Sequence, residues 1–129
     1  MPEHGTVCWN ELNTRDPKGA CDFYARTLGW RFETMPMASG GEYIVAKIGD
    51  RMVGGVLDIR NVPGTEEVPP NWFAYIEVDD VDARIAAAKQ AGATILKEPF
   101  EVPGVGRIAI VRDPTGAVAG WMTSAPQAG

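Results

Sequence analysis

Histidine is almost missing from this chain of 129 residues, with His4 the single example, and cysteine occurs only twice, as Cys8 and Cys21. Two cysteines with no Cys-x-x-Cys or Cys/His spacing make no zinc ligand set. One histidine, in a polar N-terminal stretch that reads as a mobile, solvated tail, leaves either thiol without the imidazole that would activate it. Covalent catalysis through cysteine is therefore not expected, and both thiols are read as free and buried. Long apolar runs are absent as well. None approaches the ~18 residues of a membrane-spanning helix, and Met1-Pro2-Glu3-His4 lacks the basic and apolar segments of a secretory leader. That reading implies a cytoplasmic protein with no membrane partner. Basic clusters are missing too. Lys and Arg number 12 against 17 Asp and Glu, a net charge of −5, which disfavours nucleic acid and points to an uncharged or cationic small molecule.

What is present is a repeat. Trp9-Asn10-Glu11-Leu12 through Asp16 matches Phe73-Ala74-Tyr75-Ile76 through Asp80 at an offset of 64 residues, and Val53-Gly54-Gly55-Val56-Leu57 matches Val118-Ala119-Gly120-Trp121-Met122 at an offset of 65. Two matches at nearly one offset, about half the chain, indicate two equivalent modules within one domain spanning 1–129. Residues 7–14 alternate as a strand. Asp16-Pro17 then supplies a helix cap and a proline at the first helical position, and Ala20, Phe23, Tyr24 and Leu28 recur at helical spacing until Gly29. Trp30–Thr34, Glu42–Ile48 and Met52–Ile59 read as strands, with a hairpin connection at Ser39-Gly40-Gly41. Residues 60–71, with Pro63, Gly64, Pro69 and Pro70, read as a linker between module 1 (about 6–59) and module 2 (about 72–124). The order then restarts. Trp72–Val78 is a strand, Asp80 caps a helix striped by Val81, Ile85 and Ala88 and ended by Gly92, and Thr94–Lys97, Arg107–Arg112 and Ala117–Thr123 are strands.

A duplicated βαβββ unit with Phe23-Tyr24, Leu28-Gly29-Trp30, Asp79-Asp80-Val81-Asp82-Ala83, Gly92-Ala93-Thr94, Pro103-Gly104-Val105-Gly106-Arg107 and Asp113-Pro114-Thr115-Gly116 resembles the vicinal oxygen chelate superfamily. This is the group of glyoxalase I, extradiol dioxygenases and bleomycin-resistance proteins, and the resemblance is to its glyoxalase-like single-domain branch. It implies an α+β fold in which the two βαβββ modules form a cupped, barrel-like mixed β-sheet with helices packed outside. It also implies a ligand held in the cup, closed within one chain or across a homodimer. The metal enzymes of the superfamily take one ligand from the first and one from the last strand of each module. The matching positions are Trp9 and Gly55, then Phe73 and Gly120. Indole, phenyl and hydrogen offer no donor to a divalent ion, so no metal cofactor is expected; a two-residue slip, which would offer Glu11 and Tyr75, keeps displaced metal ligands as the alternative.

Strand alternation sets Trp9, Glu11 and Asn13 on one face, and Phe73, Tyr75 and Glu77 on the matching face of the second module. Cys8, Asn10 and Leu12, or Ala74, Ile76 and Val78, then face the helices, and Asn10 there would need a buried partner. The expected ligand-binding residues are Trp9, Glu11, Gly55, Phe73, Tyr75, Gly120 and Met122: aromatics for stacking, glycines for room. Glu11 and Glu77 are the candidate general acid or base residues, although Glu77 could equally cap an exposed strand end. The leading expectation is metal-independent, bleomycin-resistance-like binding of a small aromatic or cationic molecule. The alternative is a glyoxalase-like lyase or isomerase, or a dioxygenase-related enzyme, using Glu11, Glu77 or displaced metal ligands.

Overall fold

The computed structural model describes residues 2–37, 41–60 and 62–126. Its elements run β1 (Val7–Thr14), α1 (Pro17–Leu28), β2 (Arg31–Pro36), β3 (Glu42–Ile48) and β4 (Arg51–Asp58), and then β5 (Asn71–Glu77), α2 (Val81–Gln90), β6 (Thr94–Val102), β7 (Gly106–Arg112) and β8 (Val118–Ser124). Strand, helix and three strands occur twice, an α+β fold of two βαβββ modules. Trp9–Phe73 forms one compact unit, and the residues flanking it, through Cys8 and from Ala74 onward, form the other. Among the described residues no helix is long and apolar enough to cross a membrane.

In the first half the strands lie in the order β2-β3-β4-β1, with β1 parallel to β4 and the other pairs antiparallel. The second half repeats this as β6-β7-β8-β5, with β5 parallel to β8. The repeat is carried into register. Glu11 stands opposite Gly55 in one half and Tyr75 opposite Gly120 in the other, so Glu11, not Trp9, is the cross-strand neighbour of Gly55.

Both helices start as their caps dictate. The Asp16 side chain accepts from Gly19 N, and Asp80 accepts from Ala83 N. They end on left-handed glycines. Gly29, at φ 73°, donates to Ala25 O, while past α2 Gly92 donates to Lys89 O and Ala93 to Ala88 O, which closes two of the last carbonyls. The helices differ in what they bury. α2 buries Val81, Ile85 and Ala88, and Val81 and Ile85 share a core with Val78, Ala109 and Val111. α1 buries no residue, and Phe23 and Leu28 of its expected apolar stripe are each 57% exposed. Beneath α1 lies an aromatic layer: Tyr24 stacks on Trp30 at 5.4 Å, and Trp72 meets both edge-on while donating from Nε1 to the Tyr24 hydroxyl.

Several boundaries differ from expectation for identifiable reasons. β6 continues to Val102 because bulges at Ile95/Lys97 and Lys97/Phe100 interrupt its alternation and accommodate Pro99. β2 reaches Pro36, where proline is tolerated at a sheet edge. β5 starts at Asn71, inside the expected linker. Asn10 is exposed instead of facing a core, so it needs no buried partner. Cys8 and Cys21 are free but only half-buried. Ser39 and Gly40 of the expected hairpin, and Asn61 of the linker, lie outside the described residues.

Candidate functional site

In the first half, alternation along β1 puts Glu11 next to Gly55, and β3 supplies a residue that sequence reasoning missed. Val45 pairs with Gly55, so Tyr43, two residues earlier on β3, shares the face of Gly55 and Glu11. With no side chain at Gly55 the phenol lies across it diagonally, the reach expected of an aromatic between neighbouring strands. A Cβ at Gly55 would fall on the Tyr43 hydroxyl. From there Tyr43 donates to Glu11 Oε1 at 2.8 Å and accepts from Trp9 Nε1 at 3.0 Å. Glu11 is only 6% exposed.

Three sequence-selected positions, Trp9, Glu11 and Gly55, thus meet through one that was not selected. Burial, and after it the charge of Glu11, push the Tyr43 phenol well above its ordinary range, so Tyr43 stays protonated and remains a donor. Asn13, next on this face, has a buried Oδ1 with no hydrogen-bond partner among the described residues.

The two positions where the resemblance calls for metal ligands in this half do not fit a cation. The Trp9 indole has a proton where a lone pair is needed, and it is turned toward Tyr43. Gly55 has no donor, and the space of any side chain there is taken by a phenol held protonated. Among the described residues no group of three or more His, Cys, Asp and Glu is gathered as a metal would need.

In the second half Tyr75 faces Gly120, and Glu77 faces Met122. Glu77 is 3% exposed, which overturns its reading as a cap on an exposed strand end. Its carboxylate accepts from Ser124 N at 2.9 Å and from the Ser124 hydroxyl, a second partner not foreseen from sequence. The Cys8 thiol bonds toward Tyr75 O, and burial followed by the Glu77 charge raises its pKa, the opposite of what a nucleophilic thiolate requires. Phe73 is partly buried on β5. His4 is not a free tail residue. Its Nδ1 accepts the Asp79 N–H at 2.9 Å, while Gly5 and Thr6 bond to Glu77 through the backbone. Surface hollows lie on one side of α1, at Gly19, Asp22, Phe23, Arg26 and Thr27, and beside the start of α2 at Asp79–Asp82, Arg107 and Ser124, the residue that bonds to Glu77.

Comparison with known proteins gives this geometry a context. The family model described as Glyoxalase/Bleomycin resistance protein/Dioxygenase superfamily matches residues 6–119. A Mycobacterium bovis protein named as the glyoxylase CFP32 is 42% identical over 125 residues, covering 97% of this chain and 46% of its own length. The anthracycline biosynthesis protein DnrV of Streptomyces peucetius is 28% identical over 123 residues, covering 88% of this chain and 45% of its own length. This chain therefore spans about half the length of the curated relatives it matches. Among solved structures, hypothetical protein BH1468 from Bacillus halodurans superposes with a TM-score of 0.71 at 16% identity, covering 98% of this chain and 99% of that one. A Streptomyces coelicolor methylmalonyl-CoA epimerase in complex with 2-nitronate-propionyl-CoA does so with a TM-score of 0.69 at 20% identity, covering 96% and 100%. At these identities the likeness is one of fold.

Proposed function

The chain belongs to the glyoxalase/bleomycin resistance protein/dioxygenase superfamily, and from that premise we propose that it binds a small aromatic molecule carrying a cationic or hydrogen-bond-donating group, without a metal. The observation that carries this reading is the Trp9–Tyr43–Glu11 relay over Gly55. A buried carboxylate is costly for a fold unless its charge is met by donors, and here a phenol fixed in turn by an indole donates to it. The result is a preorganised acidic anchor beside aromatic surface, suited to a ring system with an attached amine. The 28% identity to a protein named for anthracycline biosynthesis is in keeping with a polycyclic aromatic ligand. A cytoplasmic location belongs to the same reading, supported by two unpaired thiols.

The test is titration of the purified protein with daunorubicin and with bleomycin, following tryptophan fluorescence, together with metal analysis. Saturable quenching at one ligand per chain, weakened at least about tenfold by Glu11→Gln, is the expected result; tenfold corresponds to about 1.4 kcal/mol. Stoichiometric bound transition metal, or quenching that Glu11→Gln leaves unchanged, would overturn it. A second reading, proton transfer on a bound ligand, is favoured by the pairing of a carboxylate with a phenol held protonated. In that case Glu11 is the base and Tyr43 only donates. Glu11→Gln would then abolish turnover of the bound compound.

A further inference from the structure

We propose that Asn13 is a ligand-binding residue, and that the molecule taken up beside Glu11 carries, besides its cation, an uncharged O–H or N–H donor for the Asn13 amide oxygen. This rests on the binding reading above and narrows it to an aromatic amine with a second, neutral donor.

Asn13 Oδ1 is the one buried side-chain polar atom that lacks a hydrogen-bond partner among the described residues. A buried carbonyl oxygen left unpaired costs a fold free energy, so such groups are rare. The repeat shows that the defect belongs to the first half alone. Asn13 stands opposite Leu57 on β4, and at the offsets of the repeat Glu77 stands opposite Met122 on β8. Each half thus carries a polar side chain at the same register position. In the second half Ser124, two residues beyond Met122, satisfies it, because its amide and its hydroxyl both donate to the Glu77 carboxylate. Two residues beyond Leu57 the first half has Ile59, which is 3% exposed, has no side-chain donor and gives its backbone N–H to Thr14 O. The first half therefore has the acceptor without the donor.

Position points to a ligand as the missing donor. Asn13 follows Glu11 by two residues on β1, so the two acceptors emerge on one face about 7 Å apart along the strand. Glu11 is charged and suits a cation, whereas an amide oxygen is neutral and takes an uncharged O–H or N–H. Asn13 as a residue keeps part of its surface exposed, so a turn of the amide about its broad terminal torsion brings the oxygen within reach of a bound molecule.

Tyramine and phenethylamine, aromatic amines that differ by one phenolic hydroxyl, test the donor directly. Calorimetric titration should show wild type preferring tyramine at least about threefold, and Asn13→Leu should erase the preference by weakening tyramine alone. Daunorubicin, which carries both an amine and hydroxyls, should bind Asn13→Leu at least about fivefold more weakly than wild type, read by tryptophan quenching. Asn13→Ala, which cannot overfill the site, should lose ligand in the same way. Without ligand Asn13→Leu should melt no lower than wild type, since it removes an unpaired group. Daunorubicin quenching that depends on Glu11 but not on Asn13, or equal or unmeasurable affinity of wild type for the two amines, overturns this inference and leaves the binding reading standing. No daunorubicin quenching in wild type overturns both. A Tm lowered by more than about 5 °C in both Asn13 variants would show the amide already bonded in the free protein, as through a trapped water, and would overturn the inference as well.

Discussion

Tyr43 decides what the first-half site can be, because it supplies a donor to Glu11, an acceptor to Trp9 and the bulk that fills Gly55. Removing its hydroxyl in Tyr43→Phe takes one hydrogen bond from the buried Glu11 and one from the half-buried Trp9. The expected loss is about 1–3 kcal/mol of stability, a fall of several degrees in Tm by calorimetry, and weaker ligand quenching. Gly55→Ala should act through the same atoms. The new methyl displaces the phenol, so this variant should lose binding as Tyr43→Phe does, and combining the two should cost much less than the sum of both. Alkaline titration adds a sign. The folded pKa of Tyr43 lies above its unfolded value, so the stability it confers is complete below about 10 and is lost as pH rises further. Ultraviolet absorbance should show Tyr43 ionising only as the protein unfolds. Alternation along a single strand was enough to place Trp9 and Glu11 on one face, where both meet Tyr43. Tyr43 was not legible that way. Its role depends on the β3–β4 register, which shifts at Ala46/Lys47, and on a diagonal reach that spacing along the chain does not encode.

Elements were legible where a local chemical signal starts or ends them. Asp16-Pro17 and Gly29 bound α1, and Asp80 and Gly92 bound α2, because capping is settled within a few residues. Burial of a helix face is not local. The stripe of α1 resembles that of α2 on paper, but α1 sets Tyr24 against the rings of Trp30 and Trp72 and buries no residue fully, whereas α2 buries Val81, Ile85 and Ala88. β6 runs past the Lys97 at which its alternation ends, because two bulges break its period. The β7 start depends on Gly106, whose φ of 150° and close approach to Thr123 O leave no space for a Cβ. Here the obstacle is backbone, not a side chain that can swing away. Gly106→Ala should therefore destabilise by about 2–4 kcal/mol, whereas Gly104→Ala, with open space around it and a φ of 78°, should cost about 1 kcal/mol. Denaturant midpoints for the two variants measure the difference, and a larger loss at Gly104 would contradict this account of the hairpin.

For the molecule as a whole, a net charge of −5 conceals how specifically its exposed carboxylates are held. Arg60 beside Asp58, Arg84 beside Asp79 and Arg107 beside Asp82 lower those three pKa values, chiefly through hydrogen bonds. Asp113 is lowered by Thr115 and by the amides of the turn it closes, with no arginine involved. In each case the folded pKa lies below the unfolded one, so the unfolded chain takes up protons first as the pH drops. The stability these groups confer is present above about 4 and is lost as pH falls below it. Tm should hold level from about pH 5 to 9 and decline on the acid side, with Asp79→Asn and Asp113→Asn each reducing the slope. Salt separates the two mechanisms. An exposed ion pair is screened once the Debye length shrinks to about 3 Å at 1 M, whereas bonds from neutral amides and a hydroxyl are not. Raising salt to about 1 M should therefore shrink the effect of Asp79→Asn on the acid slope while leaving that of Asp113→Asn nearly intact. Equal salt sensitivity in both variants would mean that the turn carboxylate acts by charge, contrary to the hydrogen bonds that hold it.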